Sequence, residues 1–288
     1  MRVDQAMQLA SRFHEGATDK AGQPYMGHVQ RVADAVDTHE EKLAAAMHDL
    51  LEDTPLTRTH LFCAGCPSHT LAVVEALTRS PEEDYEVFCR RAASNPVARV
   101  VKLADIGDNA DEGRLSMLEP QEASRLRTKY ERARSVLLEP PEHQAEKTQQ
   151  EYETEFATIG VPQEVGESWS TFWCAVCGLP AGTLTLVRSE NPDISSEPPG
   201  LRLVLTTFLG SSTASIREDE LEDVRSSLQR DDVLPFFHRN PELVPFWCPD
   251  CQMSYCNDHW NQQFRFDDGF FDDVVGTCPN GHRRQLWD

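Results

Sequence analysis

The sequence predicts a multidomain chain, α followed by α+β: an all-α domain over residues 1–138 and a small metal-stabilised domain with a few strands over residues 169–288. Three observations carry this. Apolar residues recur at three-to-four spacing almost throughout Met1 to Leu138, the signature of helices. The stretch that follows, "EPPEHQAEKTQQEYETEF", is Pro-initiated and mostly polar and charged, so residues 139–168 read as a linker or a solvated helix. Six of the nine cysteines then fall in the last 115 residues, in Cys/His pairs at chelating spacing.

Length and charge narrow the function classes. At 288 residues the chain holds one large or two ordinary domains. A net charge of −21, with only five lysines and none beyond Lys147, leaves no basic track, so neither nucleic acid nor an anionic membrane is expected as a partner. The N-terminal "MRVDQAMQLASRFHEG" lacks the basic flank and apolar core of a signal peptide. No window approaches the roughly 18 apolar residues of a membrane span. The expected location is the cytoplasm, where thiols serve metal or lie buried rather than forming disulfides.

In the first part, breaks at "AGQP", "EDTP", "SP", "NP" and "LEP" divide six or seven helices. "PYMGHVQRVADAV" places His28 in the first turns of an amphipathic helix. "AAAMHDLLEDT" sets His48, Asp49, Glu52 and Asp53 into and just after an apolar run. In a single helix His48 and Glu52 lie four residues apart, as do Asp49 and Asp53, giving two polar lines on one face. Leu43, Ala44, Ala45, Ala46, Met47, Leu50 and Leu51 leave little else polar, so that helix is expected in a core. Carboxylates there are costly unless paired or metal-bound. "VARVVKLADIGDNADEGRL" reads as a long helix whose stripe of Val97, Val100, Val101 and Ala104 is continued by Asp105, with Asn109 one turn further. Two imidazoles and two carboxylates from separate helices make a nitrogen and oxygen site suited to Mn²⁺ or another divalent first-row ion. Such an ion polarises a phosphoryl oxygen and lowers the pKa of water. Glu52 and Asp53, one turn beyond the ligand pair, are placed for general-base work.

The blocks "GQPYMGH", "HDLLEDT", "ALTR" and "VKLADIGDN" resemble, in order and spacing, the HD-domain hydrolases of the RelA/SpoT type and their small bacterial relatives, over roughly residues 1–135. The resemblance implies that His28, His48, Asp49 and Asp105 bind one Mn²⁺, that Glu52 and Asp53 activate and position the attacking water, and that Asn109 helps hold a nucleotide substrate. The implied reaction removes the 3′-pyrophosphate of (p)ppGpp, giving GDP or GTP. Lys20, Lys102, Arg79 and Arg91 are the cations available for phosphate, Lys20 and Arg79 foremost. Two departures stand out. Asp19 occupies the position at which the long enzymes carry an Arg that packs on guanine, and Asp108 the position where they typically carry His. Both resemble the small bacterial branch, and they keep NADPH or another 2′- or 3′-phosphorylated nucleotide as a second reading. A third reading is a non-catalytic, antitoxin-like binding protein with a vestigial site.

Beyond the linker, "GTLTLVRS" and "LRLVLTTFLGS" read as strands and "IREDELEDVRSSLQRDD" as a surface helix. Cys174 and Cys177, Cys248 and Cys251, Cys256 and His259, and Cys278 and His282 offer eight ligands, enough for two structural Zn²⁺ in a treble-clef or ribbon-like domain. One pairing joins the first pair to the third and the second to the fourth; an all-cysteine site from the first two pairs is the alternative. Nine arginines against eighteen acids over residues 169–288 argue against a DNA-reading finger. A protein partner is the remaining role for exposed aromatics of "FWCPDC", "HWNQQFRF" and "GFFDD", although core packing is the expected one. Cys63 and Cys66, in a turn with no second pair nearby, read as structural or incidental, and Cys89 as core.

Overall fold

A computed structural model describes residues 1–139, 168–189, 200–267 and 270–287, so the expected linker lies almost wholly outside the described residues. A helical region is followed by a strand-rich one. By contacts the chain forms two compact units, one of Met1–Leu56 and Ser68–Thr154, the other of Thr57–Pro67 and Glu155–Asp288. The segment 57–67 thus departs from the expected boundaries: it is emitted from the helical sequence but belongs to the second unit. Among the described residues no helix is long and apolar enough to cross a membrane.

The first unit contains α1 (Val3–Phe13), α2 (Tyr25–Asp34), α3 (His39–Met47), α4 (Leu50–Asp53), α6 (Ser68–Leu77), α7 (Tyr85–Ala93), α8 (Pro96–Asn109), α9 (Glu112–Leu115) and α10 (Pro120–Leu138). More helices form than the breaks predict, because α4 and α9 are single turns. At the start of α3, Thr38 Oγ1 accepts the Glu41 N–H at 3.2 Å while the Glu41 carboxylate accepts the Thr38 N–H at 2.8 Å. Helix α3 packs against α1, α2, α6 and α8. That explains its alanines: Leu43 through Met47 are all buried, and small side chains let four neighbours approach one helix. The expected continuous helix through "MHDLLED" is interrupted. It stops at Met47 and restarts at Leu50, with Asp49 at φ −105° and the His48 imidazole Nδ1 meeting the Ala45 carbonyl at 2.7 Å. Elsewhere Asn95 and Pro96 start α8, and Asp84 caps α7.

The second unit is richer in strands than a ribbon with a few. Strands β1 (Ser168–Trp173), β2 (Pro180–Ser189), β3 (Gly200–Thr207) and β4 (Gly210–Ile216) form an antiparallel sheet in that order. The expected single strand over 201–211 is therefore a hairpin that turns at Phe208 and Leu209. Helix α5 (Arg58–Cys63) packs on β2 and β3, and α11 (Leu221–Gln229) on β1 and β2. β3 is buried at every position after Gly200. Gly182 is required on β2, because a Cβ there would collide with the Phe246 ring. After α12 (Leu234–Arg239) come the short pair β5 (Trp247–Cys248) and β6 (Met253–Ser254), then the meander β7 (Asn261–Asp267), β8 (Phe270–Thr277) and β9 (Arg283–Trp287). Phe246, Trp247 and Trp260 join one core with Leu184, Leu203 and Leu205. Phe264, by contrast, is 58% exposed. The side chains of Phe270 and Phe271 lie outside the described residues.

Candidate active site and candidate metal centres

In the first unit, α2 supplies His28, the end of α3 supplies His48, the α3–α4 junction supplies Asp49, and α8 supplies Asp105. His28 Nε2 lies 3.3 Å from His48 Nε2 and 3.3 Å from Asp105 Oδ1, and His48 Nε2 lies 3.8 Å from Asp105 Oδ1. Asp49 Oδ2 stands 2.7 Å from His48 Nε2 and 3.9 Å from His28 Nε2. An ion with bonds of about 2.1 Å holds neighbouring donors in a six-coordinate shell about 3 Å apart and opposite ones about 4.2 Å apart. His28, His48 and Asp105 fit that spacing, whereas Asp49 stands against His48 and outside the group whose donor atoms all lie within 4.8 Å of one another. Both imidazoles and Asp105 are buried. Burial alone would lower the His48 pKa, but Asp49 and then Asp105 outweigh it and hold it at about 9. Burial would raise Asp105, yet the Lys102 ammonium and the two imidazoles keep its carboxyl well below the ordinary range. At the break between α3 and α4 the two consecutive side chains meet, Asp49 Oδ2 against His48 Nε2.

Several groups around the ligands were not singled out as site residues in the sequence. Asp108 Oδ2 meets His28 Nδ1 at 2.7 Å, holding the ring from behind with Nε2 toward the cluster. Asp108 is itself gripped by Arg31 and Arg114, and Arg114 Nη2 also donates to Asp19 Oδ2 at 2.9 Å. The two acids that depart from the family pattern are thus offset by arginine. Asp19 Oδ1 further accepts the backbone N–H groups of Ala21 and Gln23, each at 2.9 Å. The Tyr25 hydroxyl donates to Asp49 and lies 3.5 Å from Asp53 Oδ2. His14, buried, packs against the Tyr25 ring at a centroid distance of 4.7 Å. Beside them opens a groove of about 620 Å³ lined by Gln8, Ser11, His14, Thr18 and Tyr25.

Glu52 and Asp53 are exposed at the edge of the cluster. Burial, then the neighbouring Asp49 and Glu52 carboxylates, raise the Asp53 pKa, which favours proton acceptance. Glu52 Oε2 accepts the Arg79 backbone N–H at 3.0 Å. Asn109 Nδ2 donates to Asp105 Oδ1 at 2.5 Å, so it steadies a candidate ligand. Two of the four cations are committed elsewhere. Lys102 is buried on Asp105, Nζ to Oδ2 2.7 Å, and Arg91 pairs with Glu83 while capping the carbonyls of Glu75, Ala76 and Thr78. Lys20 Nζ lies 3.5 Å from the Tyr130 hydroxyl. Lys129 has its ammonium 3.9 Å from the centre of the Tyr85 ring. Burial lowers its pKa, as do the neighbouring charges of Lys20, Lys102, Arg79 and Arg125. Tyr85, Arg125, Lys129 and Arg132 also line a groove of about 480 Å³. Asp84 and Glu86 line the same groove, and Arg125 is paired with Glu122, so its charge is mixed.

In the second unit the eight Cys/His ligands gather into two clusters. Cys174, Cys177, Cys256 and His259 form one, and Cys248, Cys251, Cys278 and His282 the other, the donor atoms of each lying within 4.8 Å of one another. This is the first-with-third, second-with-fourth pairing; the all-cysteine alternative is not what the fold brings together. In the first cluster His259 Nδ1 lies 3.4 Å from Cys174 Sγ and 3.2 Å from Cys256 Sγ, and Cys177 and Cys256 Sγ are 3.6 Å apart. In the second His282 Nδ1 lies 3.7, 3.1 and 3.5 Å from Cys248, Cys251 and Cys278. A tetrahedral ion with bonds of about 2.3 Å to sulfur and 2.0–2.1 Å to nitrogen sets donors about 3.5–3.8 Å apart, which both clusters approach. The turns are shaped for this: Gly178 and Gln252, each following the second cysteine of its pair, have φ of +70° and +55°. Asn280 Nδ2 donates to Cys251 Sγ at 3.2 Å.

Residues 164–288 match the model of a family described as a domain of unknown function (DUF8328). No curated protein matches the chain. Among solved structures, a metazoan ortholog of SpoT that hydrolyzes ppGpp is 19% identical with a TM-score of 0.41, covering 47% of this chain and 85% of that one.

Proposed function

We propose that the first unit is a metal-dependent phosphohydrolase of the HD type acting on a nucleotide, with the 3′-pyrophosphate of (p)ppGpp as its first candidate substrate. The observation that carries this is the convergence of His28, His48 and Asp105 at ion-binding distances, with Asp49 beside His48 as the fourth proposed ligand. Mn²⁺ held there would polarise the phosphoryl oxygen and acidify a water molecule. Asp53, with its raised proton affinity, takes up the water's proton, and Glu52 beside it adds negative charge that keeps that affinity high. Tyr25 and Asn109 hold Asp49 and Asp105 in place. Lys20, Arg79, Lys129 and Arg125 gather the substrate's phosphates. In the second unit, Zn²⁺ in each Cys/His cluster would have four protein ligands and no open position, which supports a structural role.

A second reading, hydrolysis of NADPH or a related phosphorylated nucleotide, has its own observation. Asp19 is locked by Arg114 and two backbone N–H groups where a guanine-stacking arginine would be needed. A panel of ppGpp, pppGpp and NADPH with Mn²⁺ separates the readings. Turnover of one member, reduced at least ~100-fold by Asp49→Asn with loss of the bound Mn²⁺, is expected. No turnover of any member would sink the hydrolase reading.

A further inference from the structure

His60, in the middle of α5, is 2% exposed, and its Nε2 has no hydrogen-bond partner. Its other nitrogen is spoken for. The Thr57 backbone N–H donates to Nδ1 at 3.2 Å, and the Thr57 hydroxyl lies 2.9 Å from the same atom. A backbone amide can only donate, so Nδ1 carries the lone pair, and in the neutral ring the proton sits on Nε2. Cys256 and Asp258 stand beside this ring, the three side chains offering donor atoms within 4.8 Å of one another. Asp258 Oδ2 is 3.8 Å from Nε2, with its side chain 61% exposed. Water already satisfies such a carboxylate. Cys256 is fully buried and has no such help.

We propose that His60 is the hydrogen-bonding support of the first Cys/His cluster, its Nε2–H donating to the Cys256 thiolate when the cluster holds its metal. The inference rests on the zinc reading given above. Three thiolates and a neutral imidazole around a divalent ion leave one net negative charge in a buried place, and an N–H aimed at a thiolate sulfur disperses it. The tautomer also excludes His60 as a fifth ligand, because Nε2 cannot bind an ion and keep its proton. There is a consequence for the chain. His60 belongs to the segment 57–67, which packs on β2 and β3 and begins four residues after Asp53 in sequence. The bond fastens that segment to the metal centre, so metal loss is expected to raise hydrogen exchange over residues 57–67.

The test uses the full-length protein loaded with NMR-active cadmium and, separately, with Co²⁺. Two cadmium signals are expected, one of them coupled through the hydrogen bond to the His60 Nε2–H proton. With Co²⁺, His60→Leu is expected to shift the thiolate charge-transfer band. It should also speed release of one of the two ions to a chelator by ~10–100-fold, with His60→Gln, which keeps an N–H, recovering most of the loss. The other cluster is the internal control. Two cadmium signals with no coupling to His60, or a Leu variant with unchanged spectrum and release, overturns the His60 role and leaves the zinc reading standing. No bound metal at all overturns both.

Discussion

The His28 ring reaches the ligand cluster through Nε2 and is held by Asp108 through Nδ1, so one carboxylate sets both its tautomer and its angle. Asp108→Asn is expected to leave the fold intact and weaken Mn²⁺ binding by ~10–100-fold, measured by calorimetric titration. Unchanged affinity would reduce Asp108 to a surface ion pair. Cys63 and Cys66 give a second prediction at this scale. Burial pushes each thiol from an ordinary value of 9.0 up to about 12. Between those values the unfolded thiols ionise and the folded ones do not, so this contribution to stability is complete below pH 9 and fades as pH rises toward 12. At pH 9 both cysteines should therefore resist iodoacetamide in the native protein and react promptly in denaturant, as read by peptide mass spectrometry. Native labelling as fast as that of a free thiol would contradict their burial.

Helix α3 organises the first unit because four helices share its small-residue surface, and its start is fixed by the reciprocal Thr38–Glu41 bonds. Thr38→Ala is expected to cost about 1 kcal/mol in a denaturant titration. A loss within error of zero would mean that packing alone sets the helix start. Much at this scale was legible in the sequence. Residue types that suit metal stand out by spacing and order, and the fold brings together His28, His48 and Asp105, and likewise the Cys/His pairs, that the sequence marked. What spacing left open was which pairs meet, since that depends on how β5, β6 and the β8–β9 turn approach the first knuckle. The stop at His48–Asp49 was missed because helical periodicity continues across it; the break comes from the Asp49 backbone and the His48–Ala45 contact. In the sequence Lys102 reads as a cation available for phosphate and Asp108 as an acid standing where the resemblance would put His. Only the fold shows them turned onto His28 and Asp105.

The whole chain carries a net charge of −21, yet burial and then the charges of Lys20, Lys102, Arg79 and Arg125 all lower the pKa of Lys129. The two Cys/His clusters make the second unit a candidate for stabilisation by metal. Structural zinc contributes about 10–16 kcal/mol in small peptide sites, comparable to the 5–15 kcal/mol that stabilises a whole domain. Removal of zinc by a strong chelator is therefore expected to expose the second unit to trypsin while the helical signal in circular dichroism persists. An unchanged digestion pattern would deny the clusters a structural role. The segment 57–67 defeats any reading of the chain as two beads on a string. Its Leu61, Cys63 and Cys66 are buried in the second unit, although the helical part runs up to Leu56 on one side of it in sequence and resumes at Ser68 on the other. A gene cut once near residue 139 would strand that apolar piece on the wrong fragment. The two parts are therefore interleaved in sequence, and no single cut parts them without leaving one core incomplete.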